Sequence, residues 1–208
     1  MGEPTSLLTW LIVGSALPLL AVTATAFAKA SVLLGILRGG LGMPGALPAT
    51  VVTGLAALLA TLVMLPVGRE VAVAVGPLPA GDPTAWSAAA ERAWPVLEGF
   101  LEAHTPPERL TLVLEAGAQL DPSAEVARPS PADRITAFLI SELEAAFQLG
   151  ILLLLPFLIV DLLVASTLTT LGFSLLPPTL IALPFKLLLF VAADGWGLLV
   201  RGFLRTYG

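Results

Sequence analysis

Between Leu7 and Ala28, and again between Met43 and Gly68, the chain carries no charged side chain. A helix of about 20 such residues, rising ~1.5 Å each, reaches roughly 30 Å, enough for the hydrocarbon core of a bilayer. A third apolar run spans Ala145 to Val160 and resumes after Asp161 from Leu162 to Leu171. A fourth segment runs from near Thr179 past Lys186 and Asp194 toward Tyr207. Hydrophobic residues make up 57% of the chain and charged ones 12%, against about 25% charged in an ordinary soluble domain. With so few charges, much of the surface is expected to face lipid or other apolar protein.

The breakers divide these runs. Gly39-Gly40, Gly42 and Pro44 form one turn, making residues 1–68 an apolar helical hairpin. Gly172-Phe173-Ser174-Leu175-Leu176-Pro177-Pro178 forms another, because two consecutive prolines cannot continue a helix. Residues 135–208 are therefore a second hairpin, with its turn at 172–178. Pro156 is expected to bend the helix before it. Ala24-Thr25-Ala26 has the small-residue look of a signal-peptide cleavage site, but Met1 to Ser6 holds Glu3 and no basic residue. The first apolar segment is expected to stay. Four apolar segments place both termini on one face of a membrane. The basic residues near the segment ends, Arg38 against Arg201 and Arg205, do not fix which face.

Residues 69–134 read differently. They hold ten of the fifteen acids and five of the ten basic residues, the pattern of a small aqueous domain inserted between the hairpins. Trp86, Ala90, Trp94, Leu97 and Leu101 recur at helical spacing and predict one apolar face. Pro83 follows Asp82 as a helix start, and Pro95 is expected to kink or split that helix. Thr105-Pro106-Pro107-Glu108 and Ser130-Pro131-Ala132-Asp133 both carry capping-type spacing. The first opens a short helix expected to stop at Gly117, and the second opens the helix that becomes the third apolar run. The fold class is all-α.

Several function classes drop out. A net charge of -5 and a pI near 4.8 do not suit nucleic acid. The chain has no cysteine, which excludes thiolate metal sites and thiol nucleophiles. It has no phosphate-binding loop of the Gly-x-x-x-x-Gly-Lys type. The lone His104 reads as a loop residue, since metal sites need several ligands at close spacing. No cofactor and no enzymatic activity are expected. Gly35-x-x-x-Gly39 fits a close helix contact.

Five charges lie in or beside the apolar runs: Lys29, Glu142, Asp161, Lys186 and Asp194. A charge at bilayer depth costs about 2.5–3.5 kcal/mol on insertion scales, so such residues face protein or water. They read first as pairs that fix helix register, and alternatively as an ion or proton relay in an independent transporter. Counting from Leu175, Asp161 and Lys186 reach similar depth in an antiparallel hairpin, which predicts that they pair, within a chain or between neighbouring copies. Lys186 and Asp194 are separated by roughly 12 Å of helical rise and cannot bond directly.

Three stretches taken together resemble the SctR/FliP family of type III secretion export proteins. They are Phe27-Ala28-Lys29 through Arg38-Gly39-Gly40-Leu41-Gly42; Ser141-Glu142-Leu143-Glu144 through Leu155-Pro156-Phe157 and Asp161; and Leu171-Gly172 through Pro177-Pro178, Leu183-Pro184-Phe185-Lys186 and Asp194-Gly195-Trp196. The resemblance implies a pentameric pore subunit of an export gate, joined by SctS/FliQ-like and SctT/FliR-like subunits. It implies passage of unfolded proteins, location in the bacterial inner membrane among its lipids, and an assembly projecting partly into the periplasm. It further implies that the 172–178 turn is the pore gasket. Relatives carry methionines there, where this chain has Phe173, Ser174, Leu175 and Leu176. Glu142, Asp161, Lys186 and Asp194 match charged positions of the family, whereas Glu144 stands where relatives often have Lys. Phe27-Ala28-Lys29 resembles the injectisome branch more than the flagellar one.

Overall fold

The structure is a computed structural model that describes residues 18–42, 47–77, 83–120, 128–173 and 175–208. It is all-helical, with no strand among the described residues. Residues 18–23 are helical, and the helices that follow are α1 (Phe27–Gly40), α2 (Ala49–Val75), α3 (Pro83–Ala103), α4 (Pro107–Leu120), α5 (Pro131–Thr170), α6 (Pro178–Ala192) and α7 (Gly195–Leu204). Residues 1–17 and Asp82 lie outside the described residues, so the start of the first apolar run and the proposed Asp82 cap do too. The chain packs as two compact units, residues 1–28 with 60–142 and residues 29–59 with 143–208. Helices α2 and α5 each contribute to both.

The first apolar run does not pass straight into α1. The helix stops after Thr23, and Ala24 to Ala26 form a bend. The Thr25 hydroxyl accepts from the Phe27 amide at 3.2 Å. A hydroxyl near its own backbone offers an alternative to the helical ladder, which favours a stop and a restart.

In the first unit, α3 packs on the opening turns of α5. The Phe100 and Phe138 rings lie 5.6 Å apart, and Leu101, Ala137 and Phe138 are buried. Arg134 ties the two helices together, its Nε 2.8 Å from Glu98 Oε1 and its guanidinium also on Glu102. The buried face of α3 runs through Ala89 and Phe100, while Trp86 and Ala90 are exposed. Of the face read off the sequence, Leu101 is buried and Trp94 and Leu97 are half-buried, and the departure is confined to Trp86 and Ala90 in the first turns. Pro95 does not split α3. The Ser130 start behaves as its spacing predicts: Ser130 N donates to Asp133 Oδ2 at 2.8 Å, and Asp133 N donates to Ser130 Oγ at 3.2 Å. The Thr105 start does not. Its hydroxyl turns back to the Leu101 carbonyl at 2.6 Å and closes the end of α3. His104 does the same, with Nδ1 2.8 Å from the Phe100 carbonyl, so it is a half-buried helix-end residue and not an exposed loop residue. Helix α4 runs past Gly117 to Leu120 and buries no residue.

In the second unit, α5 is the central element. Gly150 lies directly against Ile36 of α1, and Gly40 lies against Leu154 and Phe157, with no room at either glycine for a side chain. These two glycines provide the close approach. Gly35 and Gly39 have open space around the Cβ position, so the face their spacing suggested for a close helix contact meets no neighbour among the described residues of the chain. Helix α6 packs back on α5, with the Phe157 and Phe190 rings 6.3 Å apart.

Among the described residues two helices are long and apolar enough to cross a membrane: α2, which continues through Pro66 and past Arg69 and Glu70, and the 40-residue α5. Only 17% and 11% of their most apolar stretches are buried within the chain. Together α6 and α7 make a third candidate, but they are bent by 61°. This departs from the single helix expected through Asp194. The residue there adopts a left-handed conformation, φ 51 and ψ 50, which ends α6 and starts α7.

Candidate functional site

The turn between α5 and α6 is built by its ends. Thr170 closes α5, and Gly172 takes φ +79, a conformation that costs a residue with a Cβ and suits glycine. The Phe173 amide donates to the Leu168 carbonyl at 2.9 Å and the Gly172 amide to the Thr169 carbonyl at 3.1 Å. This pair of bonds is the Schellman stop. On the far side Pro177 precedes α6, and Pro178 occupies the first helical position, where a missing N–H costs nothing. Between these stops stand Phe173, Leu175 and Leu176, all exposed, with Leu175 at 97%. Ser174 lies outside the described residues. In the last turns of α5, Thr167, Thr169 and Thr170 each donate to the carbonyl four residues back, at 2.8, 2.9 and 2.9 Å.

Behind the turn, Lys186 and Asp161 form the pair that their positions in the hairpin predict. Lys186 Nζ lies 2.6 Å from Asp161 Oδ2 and donates to the Gly40 carbonyl at 3.0 Å. The ammonium therefore joins three helices: α1 at its C-terminal end, where the helix dipole is negative, α5 and α6. Lys186 is 2% exposed. The other carboxylate oxygen, Asp161 Oδ1, is buried with no hydrogen-bond donor among the described residues. Gly42, at φ +74, passes close by.

The remaining charges lie elsewhere. Lys29 is buried at the start of α1, with Nζ 2.9 Å from Thr206 Oγ1 and 4.0 Å from the Tyr207 ring centre. Asp194 caps α7, accepting from the Gly197 amide at 3.3 Å and pairing with Arg201 at 2.9 Å. Glu142 is buried in α5, beside Ser141, whose hydroxyl donates to the Phe138 carbonyl at 2.8 Å. Sequence reasoning missed Gly40, Arg201, Thr206 and Tyr207. Arg201 had a signal, since it lies two helical turns after Asp194 on the same face. A carbonyl acceptor leaves no trace in a sequence.

A model of the FliP family matches residues 8–203. The chain belongs to that family. It is 35% identical to the hypersensitivity response secretion protein HrcR of Ralstonia nicotianae, over 99% of this chain and 98% of the relative. It is 35% identical to the flagellar biosynthetic protein FliP of Bacillus subtilis, over 100% and 93%. Against the Yop proteins translocation protein R of Yersinia pestis, identity is 34% over 92% and 91%. Secretion and flagellar relatives thus match at nearly the same identity, so identity does not single out the injectisome branch that Phe27-Ala28-Lys29 resembles.

Proposed function

We propose that this FliP-family chain serves in protein export, as a pore-forming subunit of a type III export gate in the bacterial inner membrane. Copies of it, five by analogy with the family, surround a channel for unfolded proteins together with SctS/FliQ-like and SctT/FliR-like subunits. The observation that carries this reading is the turn. Three large apolar side chains stand in the open at a helical hairpin tip, held between a Schellman stop and a double proline. A single chain gains nothing from exposing Leu175 so fully, whereas a ring of such tips closes a pore by excluding water and ions. The chain acts as a conduit and not as an enzyme, so the energy for transport comes from other components. The Lys186–Asp161–Gly40 junction fixes the hairpin that presents the turn.

The test is conductance. An assembled gate carrying Phe173→Ala, Leu175→Ala and Leu176→Ala together is expected to leak ions across a planar bilayer, while the unsubstituted gate stays closed. Equal conductance would place the seal elsewhere. Flux through this chain alone in liposomes would instead support ion translocation through Asp161, Lys186 and Asp194.

A further inference from the structure

Helix α6 has 15 residues, about 22 Å of rise, too short to cross a hydrocarbon core of about 30 Å. The chain then turns by 61° and continues as α7. Most side chains of α7 fall in three arcs, and Leu198, 54% exposed, lies on the far side of the arginines, between them and the buried face. Gly195, Leu199 and Phe203 face the protein and are buried. Trp196, Val200 and Leu204, each four residues apart, form a second arc. Trp196 is 44% exposed, Leu204 is also exposed and Val200 is half-buried. Arg201 and Arg205, again four apart, form a third arc beside it, and both are exposed.

The apolar arc does not end on the helix. Trp196 also lines an apolar groove of about 430 Å³ with Leu34, Leu37, Val51, Leu55 and Leu58 of the first hairpin. A basic stripe next to an exposed apolar stripe led by Trp is the layout of a helix lying in a membrane interface. Here it directly follows a helix too short to cross.

We propose that α7 is an interfacial anchor for a bilayer carrying anionic phospholipid. Trp196 and Leu204 seat at the acyl boundary, one acyl chain lies along the Trp196 groove, and Arg201 and Arg205 meet the phosphates. Asp194 already engages Arg201, so Arg205 carries the larger share of the headgroup attraction. This inference needs only a membrane location and stands apart from the pore reading.

The test uses the full chain with Trp10, Trp86 and Trp94 replaced by Phe, which leaves Trp196 as the sole indole. It is reconstituted into vesicles of phosphatidylglycerol and phosphatidylcholine at 3:7, with bromine on the acyl chains of one lipid at a time. Trp196 fluorescence is expected to be quenched more by shallow than by deep bromines, and more by brominated phosphatidylglycerol than its mole fraction accounts for. Arg205→Gln is expected to lower the relative association constant for phosphatidylglycerol over phosphatidylcholine, derived from that enrichment, about five-fold at low salt, Arg201→Gln to lower it less, and Arg205→Lys to keep it. Salt near 1 M, where the Debye length is about 3 Å, is expected to abolish it. An unquenched Trp196 would mean that protein covers this face. Quenching in proportion to mole fraction, unchanged by Arg205→Gln, would mean that the helix touches lipid without selecting charge. Either result overturns the proposal.

Discussion

Removing either partner of the Lys186–Asp161 pair is expected to destabilise the hairpin unequally. Asp161→Leu leaves the Lys186 ammonium at 3% side-chain exposure, held only by the Gly40 carbonyl. An uncompensated charge in such a place costs about 3–5 kcal/mol. Lys186→Met leaves the Asp161 carboxylate, whose side chain is 33% exposed and can draw in water, so the loss is nearer 1–3 kcal/mol. The double variant removes both charges, leaves only the Gly40 carbonyl without its donor, and is expected to lie within about 1–2 kcal/mol of the parent. The singles then sum to well above the double, giving a coupling energy of roughly 4–5 kcal/mol in a double-mutant cycle. Unfolding in mixed detergent and dodecyl sulfate micelles, followed by circular dichroism, reads all four proteins. If Lys186→Met costs as much as Asp161→Leu, the burial argument is wrong. If the double costs the sum, the two residues do not act as a pair.

Other substitutions test the packing. Gly150→Leu is expected to cost about 1–3 kcal/mol by forcing Ile36 aside, whereas Gly35→Ala and Gly39→Ala stay neutral or gain up to ~1 kcal/mol of helix propensity; the same unfolding assay separates them. Ser130→Ala removes one half of a reciprocal cap and is expected to cost ~1 kcal/mol, seen as faster amide exchange in the first turn of α5. Asp194→Ala loses both the cap to Gly197 and a side chain that tolerates the left-handed region, for about 1–2 kcal/mol. Asp194→Asn is expected to retain most of that, since it keeps an acceptor and the same tolerance.

The class of the fold was legible because long uncharged runs at this composition leave little besides helices, and because Gly and Pro clusters mark real turns. The Asp161–Lys186 pair was legible because an antiparallel hairpin with a known tip sets depth by counting. The departures share a cause: a local signal gave way to an alternative that only the folded chain offers. Thr105 has the spacing of a cap for α4, yet the open carbonyl of Leu101 is nearer, and its hydroxyl goes there. Asp194 reads as an interruption in one helix because neither its left-handed backbone nor its bond to Gly197 can be seen in residue types. The glycines that matter for packing, Gly40 and Gly150, are far apart in sequence, so no spacing rule joins them.

The shortness of α6 explains how α1 enters the second unit. Helix α5 continues long after α6 has ended: about 22 Å of antiparallel partner, measured back from Thr170, runs out near Pro156. There α1 takes over. Gly40 meets Leu154 and Phe157, and Ile36 meets Gly150, so α1 advances along α5 in the same direction. Gly202 of α7 reaches Leu149 near the same level, with Leu149 Cδ2 3.8 Å from the position a Cβ would take. Lys186 stands at the handover, its ammonium on the last turn of α1 and on the carboxylate of α5. One charged side chain therefore fastens α1 and α6 to α5 where the two overlap along it. It also sets the register of both against the helix that carries the turn. This arrangement gives the junction a length dependence. Deleting one α6 residue between Pro178 and Lys186 would rotate the ammonium by about 100° and withdraw it by ~1.5 Å. The pair would be lost although every residue of it remained, and the unfolding assay would report a penalty like that of Asp161→Leu. Deleting one residue after Lys186, between Leu187 and Ala192, would leave the pair intact and displace only α7. Equal penalties for the two deletions would show that α6 contributes bulk packing and not register.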